Sequence, residues 1–180
     1  MIILASKSPR RRELMKYITD DFICETAEVD ETLPDGINPA DAVIYLSKIK
    51  ARPFKNSGDT VIGADTVVSI DNAILGKPES PENAREMLRL LSGREHSVYT
   101  GVTVIKDGNE TSFYVETRVK FFNLTEDEIE RYIATGEPFD KAGAYGIQGY
   151  GSLLVEEIHG DYFNVVGLPI SKLNKLLINQ

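Results

Sequence analysis

Asp65 stands alone in "TVIGADTVVSI", a β-branched, apolar run with one carboxylate at its centre. Such a run reads as a buried strand, and an unpaired charge in one is very costly. Either the aspartate caps a turn or pairs with an arginine at a strand end, or a metal ion or polarised water compensates it and makes it chemically useful. Gly63 and Ala64 before it leave room for close approach by a ligand or by backbone. Lys50 poses the complementary problem. Counting about 100° per residue from Ala42, Leu46 falls at about 40°, Lys50 at about 80° and Val43 at about 100°, with Ile49 at about −20°. Lys50 therefore lies in the apolar stripe, whereas Lys48, at about 240°, faces the other way. Its stem either packs while the ammonium escapes to water, or the charge serves an anion.

Other charges extend the set. In "IILASKSPRRRELMKYI" a short apolar strand, Ile2 to Ala5, precedes a helix start with Ser8 as N-cap and Pro9 at the first helical position. A helix N-terminus already presents about half a positive charge, so Arg10, Arg11 and Arg12 there have the wrong sign unless an anion sits opposite. Lys77 in "LGKP" and Asp30-Glu31 in "AEVDE" read as solvated loop charges or as members of the same site. In "GAYGIQGYG", Gly143, Gly146, Gly149 and Gly151 interleave with Tyr145, Gln148 and Tyr150. These glycines either make tight structural turns or aim backbone amides at a ligand, and Gln148 offers the paired donor and acceptor that fit a base edge. The stretch matches neither the P-loop nor the dinucleotide fingerprint. Several cations, two or three carboxylates, a glycine-rich loop and a primary amide suit a nucleotide polyphosphate with a divalent cation.

The elements that must position these residues follow from pattern and punctuation. The spacing predicts a helix over 9–19 and a strand in "DFICETAEVDE". A second helix, "NPADAVIYLSKIKARPF", starts with Asn38 as N-cap and Pro39 behind it. Asp71-Asn72 reads as a turn into "AILGKP". "SPENAREMLRLLSG" is the clearest helix, opened by Ser80-Pro81, striped by Ala84, Met87, Leu88 and Leu91, and closed by Gly93. "HSVYTGVTVI" and "TSFYVETRVKFF" flank Lys106-Asp107-Gly108-Asn109 as an antiparallel hairpin. "TEDEIERYI" carries a capping box between Thr125 and Glu128, "SLLVEEI" reads as a strand and "SKLNKLLINQ" as a terminal helix. With no internal repeat and no linker, the order predicts a mixed α/β protein, one two-lobed unit over 1–180.

The 180 residues, 42% hydrophobic, suffice for a sizeable core. A net charge of −8 argues against a general nucleic-acid surface, so the positive charge is local and its anion small. One cysteine, Cys24, forms no intramolecular disulfide, and two histidines, His96 and His159, offer no zinc cluster. No apolar stretch approaches the ~20 residues of a membrane span and no signal-peptide core is present. These features predict a cytoplasmic protein.

Six segments in order, "LASKSPRRRELM", "GADTVV", "LGKP", "LSGREHSVYTGV", "DKAGAYGIQGYG" and "GDYFNVVGLP", resemble the Maf family of nucleoside triphosphate pyrophosphatases and run from residue 4 to residue 169. The resemblance implies a fold of the Maf/inosine-triphosphate-pyrophosphatase type, two lobes around a central cleft. It also implies hydrolysis of a nucleoside triphosphate to the monophosphate and pyrophosphate, with Mg²⁺ or Mn²⁺, by a homodimer that cleans nucleotide pools. Asp65 of "GAD" would be the proton acceptor that activates water. Glu31, Lys50 and Lys77 would line the same cleft, with Ser8 to Arg11 gripping the phosphates. In the branch that hydrolyses dTTP and UTP, an arginine follows the Ser-Pro, a threonine follows the catalytic aspartate and a glutamine lies in the glycine-rich loop. Arg10, Thr66 and Gln148 stand at those places. The sister branch acting on 7-methyl-GTP carries a bulky aromatic, a glutamine and a glutamate there.

On this reading Asp65, with Glu31, holds the divalent ion, and Asp65 orients or deprotonates the attacking water. Ser8, Arg11, Lys50 and Lys77 bind the phosphates. Arg10, Thr66 and Gln148 set specificity, and Arg12 is a surface charge without a task. A pyrophosphatase for modified purine nucleotides is one alternative. A nucleotide-binding regulator of septum formation is another, but a pure binding module has no need of Asp65 among the cations.

Overall fold

The computed structural model describes residues 1–179. In chain order the elements are β1 (Ile2–Ala5), α1 (Pro9–Met15), β2 (Phe22–Cys24), α2 (Pro39–Ala51), β3 (Thr60–Ile70), β4 (Ala73–Leu75) and α3 (Pro81–Leu91). They continue with β5 (Glu95–Lys106), β6 (Asn109–Phe121), α4 (Glu126–Ala134), β7 (Val155–His159), α5 (Tyr162–Val166) and α6 (Ile170–Ile178). The strands form one mixed sheet in the order β2-β1-β3-β5-β6-β7, with β4 on β3. β1 is parallel to both β2 and β3, whereas β4 and β7 are antiparallel to their neighbours. The mixed α/β class is therefore as the sequence predicts. The chain divides into two compact units, one of 1–66, 100–115 and 167–180, the other of 67–99 and 116–166.

In the first unit the parallel register pairs Ala5 with Gly63. Both strands run the same way, so the turn after β1 and the residues after Gly63 emerge at the same carboxyl-terminal end, the usual ligand end of parallel strands. Helix α2 lies very close to this sheet. A methyl group added at Gly63 would fall on the Ser47 carbonyl and stand 2.9 Å from the Ala51 methyl, and one at Gly101 would collide with the Val43 carbonyl. The room at Gly63 thus serves backbone, not ligand. Ser47, fully buried on α2, shares a 2.7 Å hydrogen bond with Thr103 of β5. Ala5, Ala51, Val61 and Ile105 form the small core beneath.

The second unit buries a larger core, including Leu88, Leu91, Phe121, Ile129 and Tyr145. Within it His96 is buried, its Nε2 2.6 Å from the Tyr145 hydroxyl and its ring edge-on to Phe121 at 5.1 Å. The capping box at Thr125 and Glu128 forms as the sequence predicts. Both turn predictions also hold: Asp71-Asn72 and Asp107-Gly108 have left-handed φ, the conformation tight hairpins require.

One element, α5 over Tyr162–Val166, was not predicted, and the other differences lie at element ends. Helix α1 stops at Met15 rather than 19, because the amides of Tyr17 and Ile18 turn back to Leu14 and Met15 in three-residue bonds. Helix α2 stops at Ala51, and Arg52–Phe54, with Pro53 inside, tightens into a 3₁₀ turn. The strand in "DFICETAEVDE" shrinks to Phe22–Cys24. Residues Gly149–Leu154 coil into 3₁₀ turns before β7, where one strand was expected from Ser152 onward.

Two outcomes are expected. Gly63→Ala forces α2 away from β3 at a cost of about 1–3 kcal/mol, read as a lower urea midpoint, while Gly76→Ala, with no atom near its added methyl group, stays within about 0.5 kcal/mol of the parent. The second concerns acid. Burial pushes the His96 imidazole from 6.5 down to about 4, so between those values the unfolded chain binds the proton and the folded chain does not. Stability is then complete above pH 6.5 and falls as pH drops towards 4, by up to about 3 kcal/mol. Denaturant midpoints across that range, compared with those of His96→Gln, check the slope.

Candidate functional site

Asp65 and Thr66 lie two and three residues past the Gly63 register point on β3. Asp65 side-chain exposure is 14% and that of Lys50 is 20%. Lys50 reaches from the last turn of α2 to hydrogen-bond the Asp65 carboxylate, and its Nζ is 3.3 Å from Glu31 Oε2. The aspartate is therefore paired, with a lysine rather than an arginine. The Lys50 ammonium is paired too and does not escape to water. Glu31, 54% exposed, is the wetter of the two acids. Two carboxylates thus share one ammonium, and the nearby Arg11 guanidinium, which lies in the field of both, adds a second positive charge to the set.

The cationic helix start divides by residue. Ser8 caps α1, its hydroxyl accepting from the Arg11 amide at 3.4 Å. Arg11 turns inward: its Nε donates to the Gly167 carbonyl at 2.7 Å, Nη2 to the Thr66 hydroxyl at 3.0 Å and Nη1 to Ser6 Oγ at 3.4 Å. Burial lowers the pKa of this guanidinium, while the field of Asp65 raises it and that of neighbouring Arg10 lowers it. A guanidinium nevertheless stays charged in proteins. Arg10 is half-buried, and Arg12 and Lys7 are exposed. Thr66 also shares a 2.8 Å hydrogen bond with buried Thr100. Thr66, a predicted specificity position, is therefore wired directly to a predicted phosphate clamp.

The first unit brings Arg11, Glu31, Lys50, Asp65 and Thr66 into one linked set, with Ser8 and Arg10 on the adjoining helix start. Lys77 and Gln148 belong to the second unit, both exposed. Lys77 follows β4 directly after Gly76, whose carbonyl accepts from the Gly143 amide at 3.0 Å. The glycine-rich loop is built chiefly by internal packing. Gly143 and Gly149 have left-handed φ of 70° and 60°, and a methyl group on Gly151 would fall on the Gly146 carbonyl. Sequence reasoning missed Ser6, Thr100 and Gly167. Ser6 was in plain view two residues before the cap, but the other two meet their partners only through long-range packing.

Asp65 and Glu31 offer hard oxygen ligands, which suit Mg²⁺ or Mn²⁺. No cluster of three or more metal-ligating side chains exists among the described residues. Two carboxylates suit an ion that arrives with phosphate oxygens and keeps water, as Mg²⁺ commonly does. No helix among the described residues is long and apolar enough to cross a membrane.

A family model described as Maf-like protein matches residues 1–180. A dTTP/UTP pyrophosphatase of Clostridioides difficile is 53% identical over 180 residues, covering 98% of this chain and 93% of that protein. One of Bacillus cereus is 51% identical over 174 residues, 96% of this chain and 91% of that protein. Among solved structures, the Staphylococcus aureus Ham1 protein matches with a TM-score of 0.56 over 99% of this chain and 98% of that one; at 16% identity the likeness concerns the fold alone. With a family match from end to end and relatives half identical over nearly their whole length, the chain belongs to the Maf family.

Proposed function

We propose that this protein hydrolyses dTTP and UTP to the nucleoside monophosphate and pyrophosphate. The observation that carries the reading is the Asp65–Lys50–Glu31 cluster beside the inward-turned Arg11. Relatives named dTTP/UTP pyrophosphatase at about half identity support it, as do Arg10, Thr66 and Gln148 at the specificity positions, which speak against 7-methyl-GTP.

In this mechanism Asp65 accepts the proton of a water aligned with the α-phosphorus. Lys50 holds that carboxylate in place and stands ready to share its charge with the triphosphate. Arg11 and Lys77 stabilise the negative charge that builds on the departing pyrophosphate, while Ser8 binds phosphate oxygens at the start of α1. Asp65 and Glu31 would hold the divalent cation, Mg²⁺ or Mn²⁺, which when bound neutralises the phosphates and polarises the reacting centre. Thr66 and Arg10 shape the base or ribose side, and Gln148 reads the pyrimidine edge by its paired donor and acceptor. The reading includes a homodimer acting in the cytoplasm on free nucleotides rather than on nucleic acid.

A panel of nucleoside triphosphates, with Mg²⁺ or Mn²⁺ and an assay for pyrophosphate, tests this. UTP and dTTP should be turned over in preference to GTP and 7-methyl-GTP, and Asp65→Asn should lower kcat by about 10²–10⁴-fold. Absence of pyrophosphate from every triphosphate, or an Asn variant of full activity, would overturn the proposal.

A further inference from the structure

Glu137 has no part in the mechanism above, yet it holds the loop that carries Gln148. It follows α4 at the start of a 3₁₀ turn, Glu137–Asp140. Its Oε1 accepts from the Gly151 amide at 3.0 Å and from the Tyr132 hydroxyl at 3.0 Å, and its Oε2 accepts from the Tyr150 amide at 3.1 Å. The Tyr132 hydroxyl in turn accepts from the Gly146 amide at 3.1 Å. One carboxylate and one phenol thus pin the backbone on both sides of Gln148, at 146 and at 150–151. The fit also constrains the residue between them. A methyl group on Gly149, whose φ is +60°, would stand 2.7 Å from Glu137 Oε2. Gln148 itself is exposed, and its side chain does not cap the turn it precedes.

The exposed tip at 148–150, in a segment with four glycines in nine residues, has much conformational freedom to lose. A side chain that must present a donor and an acceptor to a base edge gains affinity when its backbone is already fixed. The bonds at Tyr132, in the last turn of α4, and at Glu137, in the 3₁₀ turn after it, supply that fixation, and burial raises the Tyr132 pKa, keeping the phenol neutral as a donor. From this geometry we infer that Glu137 is a positioning residue for pyrimidine recognition, acting through Gln148 without touching the nucleotide. The inference rests on the proposed role of Gln148.

Two measurements on the full chain test it. By amide hydrogen exchange without nucleotide, Glu137→Gln should speed exchange at Tyr150 and Gly151 by about tenfold or more, leaving α4 protected. In kinetics the same variant should raise KM for UTP and dTTP about tenfold while keeping kcat at saturation and leaving GTP turnover unchanged. In a Gln148→Ala background it should add nothing. Tyr132→Phe, which keeps the ring and loses the hydroxyl, should show the same pattern more weakly and guards against a misfolded first variant. A uniform loss on every nucleotide that persists in the Gln148→Ala background would overturn the inference, as would faster exchange with unchanged KM. Unimpaired UTP binding by Gln148→Ala would overturn it too, while leaving the pyrophosphatase reading intact. The exchange arm needs no activity, so failure of the proposed reaction is told apart from failure of loop fixation.

Discussion

A carboxylate in the middle of an apolar strand must be answered by an opposite charge, and the first unit is arranged around that requirement. Asp65 is mostly removed from water, and the Lys50 ammonium is its partner. For the lysine to arrive, α2 must lie almost on the backbone of β3 and β5, which is possible only where Gly63 and Gly101 carry no side chain. In a partly dehydrated setting such a pair attracts far more strongly than at the surface, and removing one partner leaves the other charge stranded. The same arrangement keeps one carboxylate buried against the ammonium and sets the second, Glu31, at the wet edge.

The second arrangement is polar and joins two elements brought together by parallel pairing. Ser6 and Arg11 follow β1, Thr66 lies on β3, and the register of Ala5 with Gly63 brings them to the same end. Arg11 then spends three of its five donors on Gly167, Thr66 and Ser6. A guanidinium fixed in this way loses little freedom when an anion meets its remaining donors. Because the Thr66 hydroxyl accepts from Arg11 and also pairs with Thr100, a change of residue at 66 disturbs the cation as well as the neighbouring surface.

In the second unit the glycines of the loop over 143–151 are explained by packing and left-handed turns rather than by amides opened to a ligand. The amides at 146, 150 and 151 already have partners in Tyr132 and Glu137. Those three amides are therefore not open to a ligand, and Gln148, between them in the chain, is exposed.

Much of this was legible in the chain. The α/β order, the helix caps at Ser8, Asn38, Ser80 and Thr125, the hairpin turns and the anomaly of Asp65 are local, because caps and turns depend on a few neighbouring residues and one charge in an apolar run needs no partner to be noticed. The position of Lys50 on the buried stripe was equally visible from helical period. Its counter-charge was not, because pairing with Asp65 depends on the approach of α2 to β3, set by a glycine on another element. The inward turn of Arg11 depends on the Gly167 carbonyl, 156 residues further along. Sequence alone determined which residues carry charge and where helices and strands begin. Only the tertiary structure decided which charges meet, since strand register and helix–sheet distance are set by packing between segments far apart in the chain.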